Sequence, residues 1–408
     1  MKRVVVTGMS LITPIGSNWS EVKSNLKNRK SGIAFMDDWN VYEGLNTKLG
    51  GAVKDFVVPS HYTRKQIRAM GRVALMATRA TELALEDAKL LNSEEIKSGN
   101  TGVAYGSSSG SINAALDFYS MLKTNIVRGI SATTYIQMMG HTTAVNIGLF
   151  FELTGRLIPT GSACTSGSLG VGYAYEAIKH GYQTIMVAGG SEELSPTQAA
   201  VFDTLYATST RNNEPEKTPR PFDRNRDGLV IGEGASTLIL EELEHAKARG
   251  AKIYAEIVGF GTNTDGTHVT QPNSESMSNA LSLALQDAKL SPDAIGYVNA
   301  HGTSTAHGDI AESQATHRIF GSRMSISSQK SYMGHTLGAC GSIESVISIN
   351  MMNDNWYAPT INLDNIDPQC AEMNYIVGNG RNMQNEYVMN NNFAFGGINT
   401  SLIFKKWS

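Results

Sequence analysis

The sequence predicts an α/β protein built of two duplicated halves, and three observations lead to that reading. The run Leu83-Ala-Leu-Glu-Asp-Ala-Lys-Leu90 recurs as Leu283-Ala-Leu-Gln-Asp-Ala-Lys-Leu290, differing only at Glu86 and Gln286. Each copy ends a helix-forming stretch and is followed by an apolar, strand-like run that closes in small residues, Thr101 to Gly110 in the first and Ile295 to Thr305 in the second. The segment from Ile158 to Ile178 reads as strand, tight turn and helix, and Met324 to Ile343 repeats that order more loosely. A helix-forming octamer can recur by chance; recurrence in the same order with the same following elements points to duplication. Strands alternating with helices in each half predict parallel-type sheets covered by helices. Two such halves facing each other place equivalent turns at a shared cleft, beyond the carboxyl ends of the strands, where ligands sit in such sheets.

Taken in order, Val4-Val5-Val6 followed by Thr7-Gly8-Met9 reads as a buried strand ending in a glycine turn. From Arg64 to Leu90 apolar residues recur at helical spacing, and one helix is expected there. The polar, proline-rich run Arg211 to Gly228 reads as a surface excursion before a strand over Leu238 to Leu240. A charged helix from Glu241 to Arg249 is expected to end at Gly250, ahead of a strand from Ile253 to Val258. The boundary between the halves therefore falls near residues 246–252, dividing the chain into 1–250 and 251–408.

Composition narrows the function. Charged residues at 17% and hydrophobic ones at 41% describe a soluble globular chain and not a disordered one. A net charge of -3 gives no reason to expect a nucleic-acid partner. No stretch approaches the ~20 apolar residues that span a bilayer, and the apolar run after Lys2 and Arg3 is broken by Gly8 and Pro14 too early for a signal peptide. Cys164, Cys340 and Cys370 are odd in number and widely spaced, which points to a reducing, cytoplasmic setting.

The chemistry gathers at turns. Cys164 stands where the predicted strand runs into a helix, facing unpaired N–H groups and the positive end of the helix dipole, so its thiolate is favoured. A cysteine is equally a small apolar core residue, and position alone leaves both readings open. Its small neighbours, Gly161, Ser162, Ala163, Ser166 and Gly167, allow a ligand close to the backbone. His301, Lys330 and His335 occupy similar turns in the second half; each histidine follows a predicted strand and abuts glycine, where side chains point into a cleft. His141, His180 and His317 read as core or exposed residues, and Met138 and Met139 as plain core.

Five motifs then fall in order: Ser162-Ala-Cys-Thr-Ser-Gly167, Pro221-Phe-Asp-Arg-Asn-Arg-Asp-Gly-Leu-Val-Ile-Gly-Glu-Gly-Ala235, Asn299-Ala-His-Gly-Thr-Ser-Thr305, Lys330-Ser-Tyr-Met-Gly-His335 and Asn392-Phe-Ala-Phe-Gly-Gly-Ile-Asn399. Across essentially its whole length the chain resembles the decarboxylating β-ketoacyl–acyl carrier protein synthases, ketosynthases of the thiolase superfamily. The resemblance implies a thiolase-like five-layered α/β/α/β/α fold, with the nucleophile in 1–250 and the histidines, Lys330 and a gating loop in 251–408. It implies decarboxylative Claisen condensation without a cofactor of the enzyme's own, the substrates riding on the phosphopantetheine of acyl carrier protein, in fatty acid or polyketide/polyene synthesis. Cys164 would accept the acyl chain. His301 and His335 would aim two donors at the thioester oxygen that gains charge as carbon dioxide leaves, and the backbone N–H groups of Cys164 and Phe395 would hold the second oxyanion, with Phe393 in the same loop. Lys330 is expected to be a fixed positive charge paired with Glu312, and Thr303 and Thr305 to bind the pantetheine arm.

An acidic carrier protein calls for a basic docking site. The resemblance puts it at Arg64, Lys65 and Arg68, extended by Lys123 and Arg128; charge pattern alone favours a solvated helix face. A dimer is implied, either of identical chains or with a ketosynthase-like partner. Departures from the family pattern are Ala306 for proline, Leu229 for phenylalanine, and Ala394 and Ile398 in the gating loop. Ser109 falls where some members carry a bulky residue closing the acyl pocket, so Ser109 and Leu229 predict a pocket open to medium or long acyl chains. Three rivals remain. A degradative thiolase would use coenzyme A and a second cysteine near the C-terminus, absent from Phe393 to Asn399, with Cys340 and Cys370 elsewhere. A non-catalytic chain-length partner would lack the nucleophile. A metal site at His301 and His335 has no carboxylate or cysteine at ligand spacing.

Overall fold

The computed structural model describes residues 1–408. Ten main strands alternate with helices: β1 (Val4–Met9), β2 (Thr101–Gly106), β3 (Leu157–Pro159), β4 (Ile185–Glu192), β5 (Gly234–Glu242), β6 (Ala255–Thr264), β7 (Ile295–Asn299), β8 (Ser325–Ser327), β9 (Tyr387–Ala394) and β10 (Ile398–Lys406). The helices that frame them are α1 (Arg72–Asp87), α2 (Ile112–Thr124), α3 (Ala132–Met138), α4 (Thr142–Phe150), α5 (Ser166–Lys179), α6 (Pro196–Asp203), α7 (Ser274–Ala288), α8 (Ala306–Phe320) and α9 (Cys340–Asp354). No helix is long and apolar enough to cross a membrane.

From the middle outward, the first half runs β1-β5-β4-β2-β3 and the second runs β6-β10-β9-β7-β8, the same order twice. Pairing directions repeat as well: β5 is antiparallel to both its neighbours and β2 parallel to both of its own, as are β10 and β7 in the second half. The two halves join through β1 and β6, antiparallel, with Val4, Val5 and Val6 opposite Ile257, Glu256 and Ala255. Helices α5 and α9 pack on each other and on strands of both halves, while α1 and α4 cover the outside of the first half and α7, backed by α8, that of the second. The result is the five-layered thiolase-like arrangement.

Burial explains the composition of each layer. Every residue of β4 is buried, so Ile185-Met186-Val187-Ala188 shows no polar alternation: helices cover both faces of the strand. Helix α7 has one side to solvent and buries Met277, Ala280, Leu281, Ala284 and Leu285 at helical spacing. Helix α9 is enclosed on nearly all sides, and its small and apolar residues run around the whole helix.

The repeated octamer has a physical reason. In both copies the helix ends with a lysine in the left-handed region, Lys89 and Lys289, each at φ 57°. Leu90 N donates to Leu85 O and Leu290 N to Leu285 O, closing the same C-terminal motif. Alanines let the helix lie on a strand glycine: a Cβ at Gly8 would sit 2.3 Å from Ala84 O, and one at Gly259 2.4 Å from Ala284 O. The aspartates tie helix to strand, Asp87 accepting from Met9 N and Asp287 from Phe260 N.

Several expectations need correction. Gly8 is not a turn; β1 continues through it with a register shift between Val6 and Gly8. The helix expected from Arg64 to Leu90 is two, a single turn at Arg64–Ile67 and α1, separated because the chain at Gly71 is extended. Glu241 belongs to β5, since its buried carboxylate is held by Thr7, His245 and Arg249, and only Leu243–Ala248 is helical. The next strand starts at Ala255 and runs to Thr264.

Gly8→Ala and Gly259→Ala should each overpack a helix–strand contact and cost roughly 1–3 kcal/mol or more. Thermal unfolding should show a lowered midpoint for both. Gly140→Ala, where a Cβ meets nothing within 4 Å, should leave the midpoint in place.

Candidate active site

The turn that carries Cys164 and its counterpart in the second half are built alike. Ala163 and Leu337 both take left-handed backbone, at φ 49° and 47°, and each starts a short tight turn that feeds a central helix. Ser166 Oγ donates to Ala163 O at 2.7 Å and accepts from Ser162 N at 2.9 Å, holding the first turn closed. Cys164 lies in that turn and is almost fully buried. The backbone N–H groups of Phe395 and of Cys164 itself point at its sulfur.

His301 follows β7, fixed by the Glu312 carboxylate, which accepts from His301 N and Gly302 N at 2.7 Å each. His335 is stitched to the other half: its N–H donates to Val230 O and its carbonyl accepts from Gly232 N. Ligating atoms of Cys164, His301 and His335 lie within 4.8 Å of one another. The two imidazoles stand edge to face with centroids 5.1 Å apart, and Phe393 packs 6.0 Å from His301.

Partners of the rings decide where their protons sit. His335 Nδ1 accepts from Leu337 N at 3.3 Å, and His301 Nδ1 accepts from Asn392 Nδ2 at 3.4 Å. Each proton is therefore on Nε2, and His335 Nε2 is buried without a partner. Burial first, then the charge of Lys330, holds both histidines well below 6.5 and neutral. Burial also pushes the Cys164 thiol up to about 12, outweighing Lys330 and the two N–H groups. The helix terminus does not make Cys164 a resting thiolate, because desolvation is the larger effect.

Sequence spacing gave His301 and His335 no cysteine partner, yet the fold brings Cys164 to both. A metal needs lone pairs and a thiolate. This cluster offers two N–H donors and a thiol, and so fits an anionic oxygen better than a cation.

Lys330 is not paired with Glu312. Its Nζ meets Glu344 Oε1 at 2.5 Å, both side chains almost wholly buried. Burial pulls the Lys330 ammonium down, and Glu344 more than restores it, so the charge persists. Glu312 is occupied by backbone donors instead, and burial raises it to about 8. Glu344 Oε2 accepts from Asn392 Nδ2 at 2.7 Å, which links the ion pair to His301. Neither residue had been assigned a role, although Glu344 is the only charged residue within α9 before Asp354. Cys340 does not lie elsewhere: its S–H donates to Cys164 O at 3.2 Å.

A cavity of about 500 Å³ opens on Cys164, His301 and His335. Thr303, Thr305, Leu229, Phe393 and Phe395 line it, as does Phe202, which the sequence did not single out. Thr303 and Thr305 hydroxyls bond each other at 3.0 Å. Ser109 does not reach this cavity; its Oγ donates to Glu192. Arg64, Lys65, Arg68, Lys123 and Arg128 are exposed and form no ion pair, with Lys123 and Arg128 among exposed Leu122, Ile126 and Val127.

Residues 1–246 match the family described as Beta-ketoacyl synthase, N-terminal domain, and residues 254–364 match Beta-ketoacyl synthase, C-terminal domain. The chain is 39% identical to the 3-oxoacyl-[acyl-carrier-protein] synthase 2 of Vibrio harveyi, covering 99% of each. It is similar to the crystal structure of a Beta-ketoacyl synthase from Burkholderia phymatum STM815, with a TM-score of 0.99 and 58% identity over 100% of both chains. It also resembles the ishigamide ketosynthase/chain length factor, with a TM-score of 0.90 and 28% identity over 100% of both chains.

Glu344→Gln should leave Lys330 buried without a counter-charge and destabilise the fold by about 3–5 kcal/mol, whereas Glu312→Gln should leave the Lys330 ion pair intact. Unfolding midpoints of the two variants distinguish these outcomes. With a raised thiol pKa the thiolate fraction grows with pH, so iodoacetamide alkylation of Cys164 should quicken nearly tenfold per unit from roughly pH 7 to 9. A plateau near neutrality would show the thiolate already formed.

Proposed function

The chain belongs to the β-ketoacyl synthase family, and on that premise we propose that it is a β-ketoacyl–acyl carrier protein synthase, an acyltransferase in which Cys164 is the acyl acceptor. The observation that carries this reading is the convergence of one thiol and two Nε2–H donors within 4.8 Å at the floor of a cavity. An acyl thioester on phosphopantetheine enters past Thr303 and Thr305. The Cys164 sulfur attacks its carbonyl, and the pantetheine sulfur leaves and takes up the thiol proton. Malonyl carrier protein then binds in the same cavity. As its carboxylate departs as carbon dioxide, the electron pair passes to the thioester oxygen, where Nε2–H of His301 and of His335 hold the developing charge.

The enolate carbon attacks the acyl–Cys164 thioester. Its carbonyl oxygen becomes the second oxyanion, held by the N–H groups of Cys164 and Phe395, and collapse releases the Cys164 thiolate, which takes a proton from solvent. The product is the carrier-bound 3-ketoacyl chain, longer by two carbons. Neutral donors suit this sequence, because each charge appears only in passing and a buried imidazolium would bind the malonyl carboxylate and oppose its loss. Lys330 acts through Glu344 and Asn392 on the placement of His301.

Acyl carrier protein is the partner, docking at the exposed Arg64, Lys65 and Arg68. The chain works as a dimer of identical chains, supported by the edge strand β3 and the exposed apolar side chains of Leu116, Tyr119 and Leu122. The presence of Cys164 with both histidines speaks against a non-catalytic chain-length partner. Three free thiols fit a reducing, cytoplasmic setting.

Cys164→Ala should abolish ketoacyl product and still release carbon dioxide from malonyl carrier protein. His301→Ala and His335→Ala should each slow that release by roughly 10²–10³-fold. Because both histidines lie well below 6.5, they stay neutral as pH falls, so the release rate should be flat through pH 6.5. A limb at that pH would mean that an ordinary histidine controls the step.

A further inference from the structure

Gln198 Oε1 is one of several buried polar atoms without a partner, and it lies one helical turn from the lining of the active-site cavity. Helix α6 carries Phe202, which lines the cavity and stacks 5.1 Å from Phe395. Gln198 lies one helical turn earlier on the same face, just 7% exposed. Its Nε2 donates to Ser109 Oγ at 2.9 Å, and Ser109 Oγ donates to Glu192 Oε1 at 3.2 Å. The serine proton is committed to the carboxylate, so the serine lone pair must take the amide proton. That fixes the orientation of the amide, and Gln198 Oε1 is left buried with no donor. Glu192 makes no hydrogen bond to that oxygen; its carboxylate is taken up by Ser107 Oγ, Ser108 N and Gly338 N.

An unpaired carbonyl in a dry site is costly, and a methionine of similar length would remove the cost. The atom has a use if the ligand brings the donor. Resting on the reading of Cys164 as acyl acceptor, we propose that Gln198 selects acyl chains that carry a hydroxyl group, its Oε1 accepting the hydroxyl proton once Phe395 turns away from Phe202. Ser109 holds the amide in the required orientation, with Glu192 behind it. Hydroxyacyl carrier proteins are then the preferred primers over plain alkanoyl ones, because a site built to accept a hydroxyl leaves its own oxygen unpaired with the analogue that lacks it.

The test is the rate of Cys164 acylation, read by intact-protein mass, with matched ω-hydroxyacyl and alkanoyl carrier proteins of stepwise increasing length. The wild-type enzyme should favour the hydroxyacyl chain by about tenfold or more at the length that reaches Gln198. Gln198→Met should remove or reverse that preference while still accepting alkanoyl chains. Ser109→Ala, which frees the amide to turn, should weaken it and serves as the probe if Gln198→Met fails to fold. Equal or better use of alkanoyl chains at every length, or a ratio unmoved in the variants, overturns the proposal and means that Gln198 Oε1 is served by water. If no chain of either kind acylates folded wild-type enzyme, the synthase reading itself fails.

Discussion

Everything in the site depends on how closely helix α5, strand β4 and the turn that opens α9 approach one another. A Cβ on Gly167 would lie 2.9 Å from Gly338 O, one on Gly341 2.5 Å from Ser168 N, and one on Gly190 2.3 Å from Gly338 O. Only glycine permits that contact. It brings the turn that carries Cys164 against the turn after His335, although these come from opposite halves of the chain. A larger residue at any of the three would force the turns apart, and the donors would no longer converge on the sulfur.

The duplicated halves have diverged at this contact. Aligning the two turns through their left-handed residues, Ala163 and Leu337, sets Cys164 opposite Gly338. One position carries the thiol. The other has no side chain, and its N–H goes to buried Glu192 at 3.0 Å. The same scaffold element thus presents a buried thiol in one half and a hydrogen-bond donor to a carboxylate in the other. The second half contributes instead at the ends of β7 and beyond β8, where His301 and His335 project.

Electrostatically the cavity floor is neutral in its resting state. Burial raises the thiol and lowers both imidazoles, so the groups at the cavity floor carry no charge. The nearby charge is the Lys330–Glu344 pair, which sits behind His301 and reaches it through Asn392. Such a pair has little to offer stability, since desolvating two ions offsets most of their attraction. Its use is geometric: Asn392 gives one proton to Glu344 and another to His301 Nδ1, and so fixes the tautomer that leaves Nε2–H pointing into the cavity.

The sequence determined the duplication and the fold class and singled out Cys164, His301 and His335 as candidates, because those follow from local patterns: a repeated octamer, glycine-flanked turns and apolar strands. The octamer was legible as a repeat, and its cause, a shared helix ending packed on a strand glycine, emerged only when Gly8 and Gly259 were seen beneath Ala84 and Ala284. Tertiary structure alone decided the partner of Lys330, since Glu312 and Glu344 are both buried carboxylates in the same half and spacing does not separate them. It also decided the ionisation of Cys164, where a local rule about helix termini favoured the thiolate and enclosure by the rest of the molecule reversed it. The unpaired oxygen of Gln198 belongs to that second class: whether an amide is satisfied depends on every residue packed around it, and those residues come from segments far apart in the chain.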